Sequence, residues 1–365
     1  MDERLKMYLL LNKANANISS AAKFLNLGAG PSELWRPSKI DAALSVLSAQ
    51  LVAAVRKLEA ENWAEREYER ASQMGAAILT PESCGYPEKL TNLSDMPPIL
   101  YVRGDINALS LRCVGVVGTR RAGRYGKEAA ARIGAACADC GIAVVSGGAW
   151  GVDGTAQGAC CENGGRSVAV LGTGVDIAYP ASNKKLFDVI CQNGALVSEF
   201  SLGASGEPWH FPRRNRIVAA LSEKLIVVEA PVKSGSMITA RLALELGVEV
   251  WALPGQIYDE NAQGTNRLIY DGAYPYISDE VFFSSCGIEY SGVKKAAQSA
   301  SAAKISPEGR RIIEYLSQNG PQTIDNLVLA VKMSAAGILK ETAILSANGL
   351  IYMSSPGRYS VKSSL

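Results

Sequence analysis

The sequence predicts an α/β protein: a Rossmann-like parallel sheet core, preceded by a helical N-terminal domain and followed by a C-terminal winged-helix domain. Three observations predict it. Between residue 113 and about 285, short apolar runs alternate with helical segments, the order of a parallel sheet with helices on both faces. Residues 1–75 show no strand-like alternation. After a small, polar stretch, residues 306–362 read as helix, helix, helix and hairpin, a winged-helix order.

In chain order, the helical domain occupies 1–75, and its charged stretch Ala60–Gln73 ends at the helix stop Gly75. The core spans 76–290. It opens on a short strand, Ala76-Ala77-Ile78-Leu79-Thr80, and a proline-rich segment leads to Ile99-Leu100-Tyr101-Val102-Arg103-Gly104. Candidate strands follow at Val114–Val117, Ala143–Ser146, Ser167–Leu171, Ala195–Ser198, Leu225–Glu229 and Glu249–Leu253. Residues 291–305 are of low complexity and read as a flexible linker. In 306–365, a helix from about Glu308 to Gln318 stops at Asn319-Gly320-Pro321, and helices start after Thr323 and Ser334. The strands Leu350–Met353 and Arg358–Val361 then close the unit.

The formal net charge is +2, which excludes a globally basic coat, so a phosphate site must be a local patch. The apolar stretch near the N-terminus is too short for a membrane span and lacks the flanks of a signal peptide. No membrane partner is expected. The eight cysteines are scattered through apolar and helical contexts, which suits a reducing cytoplasm. Cys137-x-x-Cys140 with Cys160-Cys161 raises a zinc or redox question. Its spacing is imperfect and its context is a small-residue helix, so buried thiols are expected, with no metal and no cofactor.

The chemistry lies in the loops after the strands. Val114–Gly118 runs into Thr119-Arg120-Arg121-Ala122-Gly123-Arg124, and Ala143–Val145 into Ser146-Gly147-Gly148. Glycine turns let backbone approach a ligand, and helix-start N–H groups form an anion site. Five basic residues and no acidic one lie between Arg112 and Lys127. If the two strands are neighbours, their ends form a positive cradle. Lys184, the run Lys233-Ser234-Gly235-Ser236, and Asn266 lie on further strand-end loops. Trp209, His210, Phe211, Arg213, Arg214, Asn215 and Arg216 stand together on one expected loop. Aromatics that stack bases beside cations that hold phosphates mark a single-strand binder. The alternative is that Trp209 and Phe211 cover the sheet edge and the arginines are solvated. His210 is expected to stack or hydrogen-bond, and Asp153 to fix its own glycine turn. No catalytic residue is assigned. Gly172-x-Gly174 lacks the third glycine of a dinucleotide fingerprint, and a Walker-type G-x-x-x-x-G-K-[ST] is absent.

Several motifs in register resemble one known family. They are Tyr101-Val102-Arg103-Gly104, Gly118-Thr119-Arg120, Ser146-Gly147-Gly148-Ala149 with Gly151-Val152-Asp153, and Tyr179-Pro180 with Asn183. The series continues through Ser198-Glu199, Phe211-Pro212-x-Arg214-Asn215-Arg216, Ser234-Gly235-Ser236 with Ile238-Thr239-Ala240, and Gly264-Thr265-Asn266. From about 65 to 290 the chain is similar to DNA processing protein A (DprA, or Smf). The resemblance implies a cytoplasmic, non-enzymatic, homodimeric protein with a SAM-like N-terminal domain. Such a protein binds and protects incoming single-stranded DNA during natural transformation (competence) and loads RecA on it. It further implies that Arg120 holds a phosphate and Phe211 stacks a base. Some members carry a lysine just upstream of that aromatic, where this chain has Pro208 and Trp209. The rival class is a Rossmann-type nucleotide hydrolase or phosphoribohydrolase acting on a small nucleotide with the same loops. The expected recognition helix of the winged unit, Ser334–Asn348, carries Lys340 as its one cation, too few for reading a major groove.

Overall fold

The computed structural model describes residues 1–15, 47–290, 305–347, 350–355 and 357–361. The chain divides into two compact units, 1–290 and 291–365. The linker expected at 291–305 lies, except for Ile305, outside the described residues, as does 16–46 of the expected helical domain.

The first unit is built on a nine-stranded sheet. Its strands are β1 (Ala76–Leu79), β2 (Leu100–Gly104), β3 (Cys113–Val117), β4 (Ala143–Ser146), β5 (Ser167–Val170), β6 (Ala195–Ser198), β7 (Lys224–Val227), β8 (Glu249–Ala252) and β9 (Tyr274–Pro275). They lie in the order β1-β2-β6-β5-β4-β3-β7-β8-β9. All pairs from β6 to β9 are parallel, and only β1–β2 and β2–β6 are antiparallel. The central strands are apolar except at end positions such as Ser146, Ser167, Ser198 and Lys224, because both faces are covered.

Alternation within β3 shows this. Cys113 and Val117 join a core that includes Ile217–Leu221 of helix α7 (His210–Leu221) and Ala240 and Ala243 of α8 (Gly235–Glu245). Val114 and Val116 point the other way. They meet helices α4 (Arg124–Asp139) and α5 (Val152–Glu162), and Phe282 and Phe283 of α10 (Asp279–Ser285). Helix α6 (Lys184–Asn193) packs Phe187 and Ile190 beyond β5, and α9 (Glu260–Tyr270) adds Leu268 to the first core.

Helices α1 (Glu3–Lys13), α2 (Ala49–Ala60) and α3 (Trp63–Gln73) are not a separate body among the described residues. Five consecutive residues of α1, Met7–Leu11, are buried, the signature of a helix enclosed on all sides. They share a core with Ile99, Tyr101, Val175 and Leu202. The α3 residue Glu67 turns inward to accept the Leu202 N–H at 2.7 Å.

Helices α4 and α5 touch backbone to backbone at Gly134, where a Cβ would stand 2.2 Å from the Ala156 carbonyl oxygen. Gly134→Ala gains about 1 kcal/mol of helix propensity but costs about 1–3 kcal/mol through overpacking against a backbone that cannot give. Net destabilisation is therefore the expected result of urea unfolding. A stabilised variant would show that the two helices can slide apart.

The second unit runs α11 (Pro307–Asn319), β10 (Gln322–Thr323), α12 (Ile324–Val331), α13 (Ala335–Ala347), β11 (Ile351–Ser355) and β12 (Arg358–Val361). Its three strands lie in the order β10-β12-β11, with β11 and β12 paired antiparallel at the end of the unit. Ile312, Leu316, Leu327, Ile338 and Leu345 form its core.

All eight cysteines are free thiols. Cys137 and Cys160 are fully buried, and burial pushes both thiols up. Among the described residues no cluster of three or more His, Cys, Asp or Glu side chains could hold a metal. No helix of the described residues is long and apolar enough to cross a membrane.

Candidate nucleic-acid interface

The neighbouring strands β3 and β4 bring their two glycine turns together, as expected. The Val152 N–H donates to the Thr119 carbonyl at 3.3 Å. Gly151, at φ +76°, would carry a Cβ 2.3 Å from that same oxygen, so only glycine fits there.

Four glycine N–H groups of these turns are taken up by side chains of the protein itself rather than left for an anion. Gly123 and Gly126 N–H donate to the Glu229 carboxylate at 2.8 and 3.0 Å. Gly147 N–H donates to Asp153 at 3.2 Å and Gly148 N–H to Gln157 at 3.1 Å. Asp153 thus fixes its turn, and burial pushes its carboxyl up against the opposing pull of Arg214.

Residues 208–216 also depart from the expected loop, because α7 begins at His210. Pro212 is tolerated there because first-turn N–H groups have no helical partner. Helical spacing then sorts the motif by face. His210 and Arg214, four apart, point inward. The His210 ring stacks on Phe200 at 3.8 Å, and its Nδ1 bonds the Gly172 carbonyl at 2.9 Å. Arg214 donates to the carbonyls of Gly147, at 2.8 Å, and Val170. A Cβ on Gly147 would lie 2.5 Å from the Arg214 guanidinium and 2.8 Å from Asp153. Burial pushes Arg214 down to about 10. Arg216 is buried as well. It grips Glu199 through both carboxylate oxygens, at 2.6 and 2.8 Å, and reaches Asp95 at 2.8 Å.

Phe211 and Asn215, also four apart, face outward. Phe211 lies over Gly172, where a Cβ would come within 2.8 Å of its ring. Tyr179 is 5.2 Å from it and the Arg120 guanidinium 5.3 Å. Arg120, Gly147, Ala149, Trp150, Tyr179, Pro180, Phe211 and Arg214 line one shallow cleft. The Asn215 amide donates to the Gly235 carbonyl at 3.3 Å. This tie sets the start of α8, with exposed Lys233 and the capping Ser234, beside α7.

The structure therefore divides the expected site. Arg120, Gly147 and Phe211 meet in the cleft, with Arg214 as its charged floor. Thr119 and Gly118 shape the turn beneath Arg120, and Gly148 is buried beside Phe187 and Leu171. Exposed Arg121 and Lys233 are on nearby loops. Trp209 is half exposed, edge-on to His210 at 4.1 Å. Other expected residues are engaged elsewhere. Arg213 and Arg216 hold Glu199, Arg124 pairs with Glu128, and Lys184 pairs with Asp188. Asn266 clamps both backbone groups of Gly255, and Ser236 is buried.

Four residues of the cleft, Ala149, Trp150, Tyr179 and Pro180, stand outside the set of expected site residues, and two of them are large exposed aromatics. Trp150 is 55% exposed, with its indole N–H donated to Ser182 Oγ at 2.6 Å, and Tyr179 is 46% exposed. A large aromatic inside a glycine turn is the available signal for Trp150.

The family model described as DNA recombination-mediator protein A matches residues 77–286. The DNA processing protein DprA of Bacillus subtilis is 36% identical over 265 residues, which are 69% of this chain and 89% of that protein. The protein Smf of Synechocystis is 36% identical over 260 residues, 70% of this chain but 64% of that protein, so the chain spans just under two thirds of it. Among solved structures, DNA processing protein A from Streptococcus pneumoniae aligns with a TM-score of 0.66 at 30% identity, covering 77% of this chain and 95% of that one. DNA processing protein A from Helicobacter pylori, described with a single-stranded DNA binding mode, aligns with a TM-score of 0.54 at 32% identity, covering 58% and 95%.

Proposed function

The chain belongs to the DNA recombination-mediator protein A family, and on that premise we propose that it binds single-stranded DNA and mediates recombination. It protects incoming strands during natural transformation and loads RecA on them, working as a cytoplasmic homodimer. The observation that carries the reading is the juxtaposition of Arg120 and Phe211 in an open cleft. An exposed cation–π contact is worth about 0.5–1 kcal/mol. Arg120 can exchange it for a phosphate, leaving the Phe211 face to a base. Trp150 and Tyr179 supply further stacking surface along the same wall.

The rival enzyme reading needs a free acid, base or nucleophile at the reacting atom. Asp153, Glu199 and His210 are held by backbone groups, arginines or a stacked ring, and none lines the cleft. The protein is therefore proposed to turn over neither AMP, ATP, NAD nor DNA.

The test is a salt titration of oligothymidylate binding by fluorescence anisotropy. Arg120→Ala is expected to weaken binding to all sequences alike. It should also flatten the log–log salt slope by about 0.7, the share of a single neutralised phosphate. Unchanged affinity and slope at matched salt reject the assignment. Release of product from a small nucleotide, abolished in Asp153→Asn, would favour the enzyme.

A further inference from the structure

At the switch point of the sheet, β3 has β4 on one side and β7 on the other. The first turn of α4 faces the end of β7. In open α/β sheets a nucleotide's phosphates commonly sit on such a helix start. In this chain a carboxylate of the protein itself sits there. Glu229 Oε2 takes the Gly123 N–H and Oε1 the Gly126 N–H, at 2.8 and 3.0 Å, and the Glu229 carbonyl accepts the Thr119 N–H at 2.7 Å. Glu229 is buried, 3% exposed. Gly126 makes the room: a Cβ there would stand 2.3 Å from Glu229 Cδ.

We propose that Glu229 is an internal stand-in for phosphate that closes the mononucleotide position of the core to nucleoside diphosphates and dinucleotides. Both of its oxygens occupy donors that a pyrophosphate would need, and its charge and volume reject a second anion at the same place. It also pins the 118–126 turn to the end of β7, which sets where Arg120 emerges. A strand's phosphates then meet side chains at the rim rather than backbone N–H groups inside. Only this last consequence rests on the strand-binding reading; the exclusion of small anions does not.

The experiment uses the full-length protein with inorganic pyrophosphate and ADP as probes, followed by calorimetry and thermal shift. Glu229→Ala frees the two N–H groups and is expected to bind pyrophosphate and ADP tighter than the unaltered protein by about tenfold or more, near 1.4 kcal/mol. Glu229→Gln keeps the size, removes the charge and carries the test if the alanine variant does not fold; its expected gain is smaller but in the same direction. A folded variant with no gain overturns the proposal, and so does comparable pyrophosphate binding by the unaltered protein. Unchanged oligonucleotide binding in Arg120→Ala counts against the strand reading alone, so the two failures are distinguishable.

Discussion

Arg216→Ala is expected to destabilise the first unit by about 3–5 kcal/mol, the cost of leaving a buried partner charge uncompensated. Glu199 is buried to 3% and would keep one cation, Arg213, at 3.1 Å. The Asp95 carbonyl would lose two donors as well, at 2.9 and 3.2 Å. For a unit of this size the melting temperature should fall by on the order of 10 °C, measurable by calorimetry without ligand. Arg216→Lys restores the charge but not the two-pronged fork, so it should recover only part of the loss. An Arg216→Ala protein that melts like the unaltered one yet binds single strands poorly would show that this guanidinium leaves Glu199 to meet DNA.

Phe211→Ala should have the opposite profile. Loss of one stacked base costs about 1–3 kcal/mol, roughly 5–150-fold in affinity, with the salt slope little changed because every cation that meets a phosphate is still in place. Its ring lies against Gly172 and Gly206 rather than inside the apolar core, so the thermal cost should fall well below the roughly 3–5 kcal/mol of a buried Phe→Ala cavity. Anisotropy and melting of this single variant separate the roles. A large drop in melting temperature with intact affinity would make Phe211 a packing residue.

The two profiles mark where the sequence is readable. Runs such as Val114–Val117 and Ala143–Ser146 announce strands because a sheet covered on both faces must be apolar along its length. The start of α7 is hidden because Trp209 to Arg216 shows no apolar period and contains Pro212. Without that helix, Arg214 and Arg216 look equivalent to Arg213 and to the rim cations. Their burial depends on Gly147, Val170, Glu199 and Asp95, which are 67, 44, 17 and 121 residues away. Glu229 is the sharpest case. Its apolar run makes it the last residue of an expected strand that in fact stops at Val227, and its carboxylate serves a helix start 103 residues earlier. Local pattern reports propensity and periodicity; it carries no signal for a polar side chain whose partners arrive only through the fold.

Arg120 resting on Phe211 also bears on how long a strand stays. On the proposed strand-binding reading, a resident guanidinium competes with the incoming base for the same ring face, so the lost cation–π contact, about 0.5–1 kcal/mol, offsets part of the stacking and the net gain per site is modest. Small net gains give short residence times, since differences among related complexes appear mostly in the dissociation rate. Retention then depends on many such sites engaging one polymer together, and release can proceed one site at a time. If the proposed reading holds, such a protein would surrender its strand progressively to a second protein advancing along it, with no single slow step to overcome.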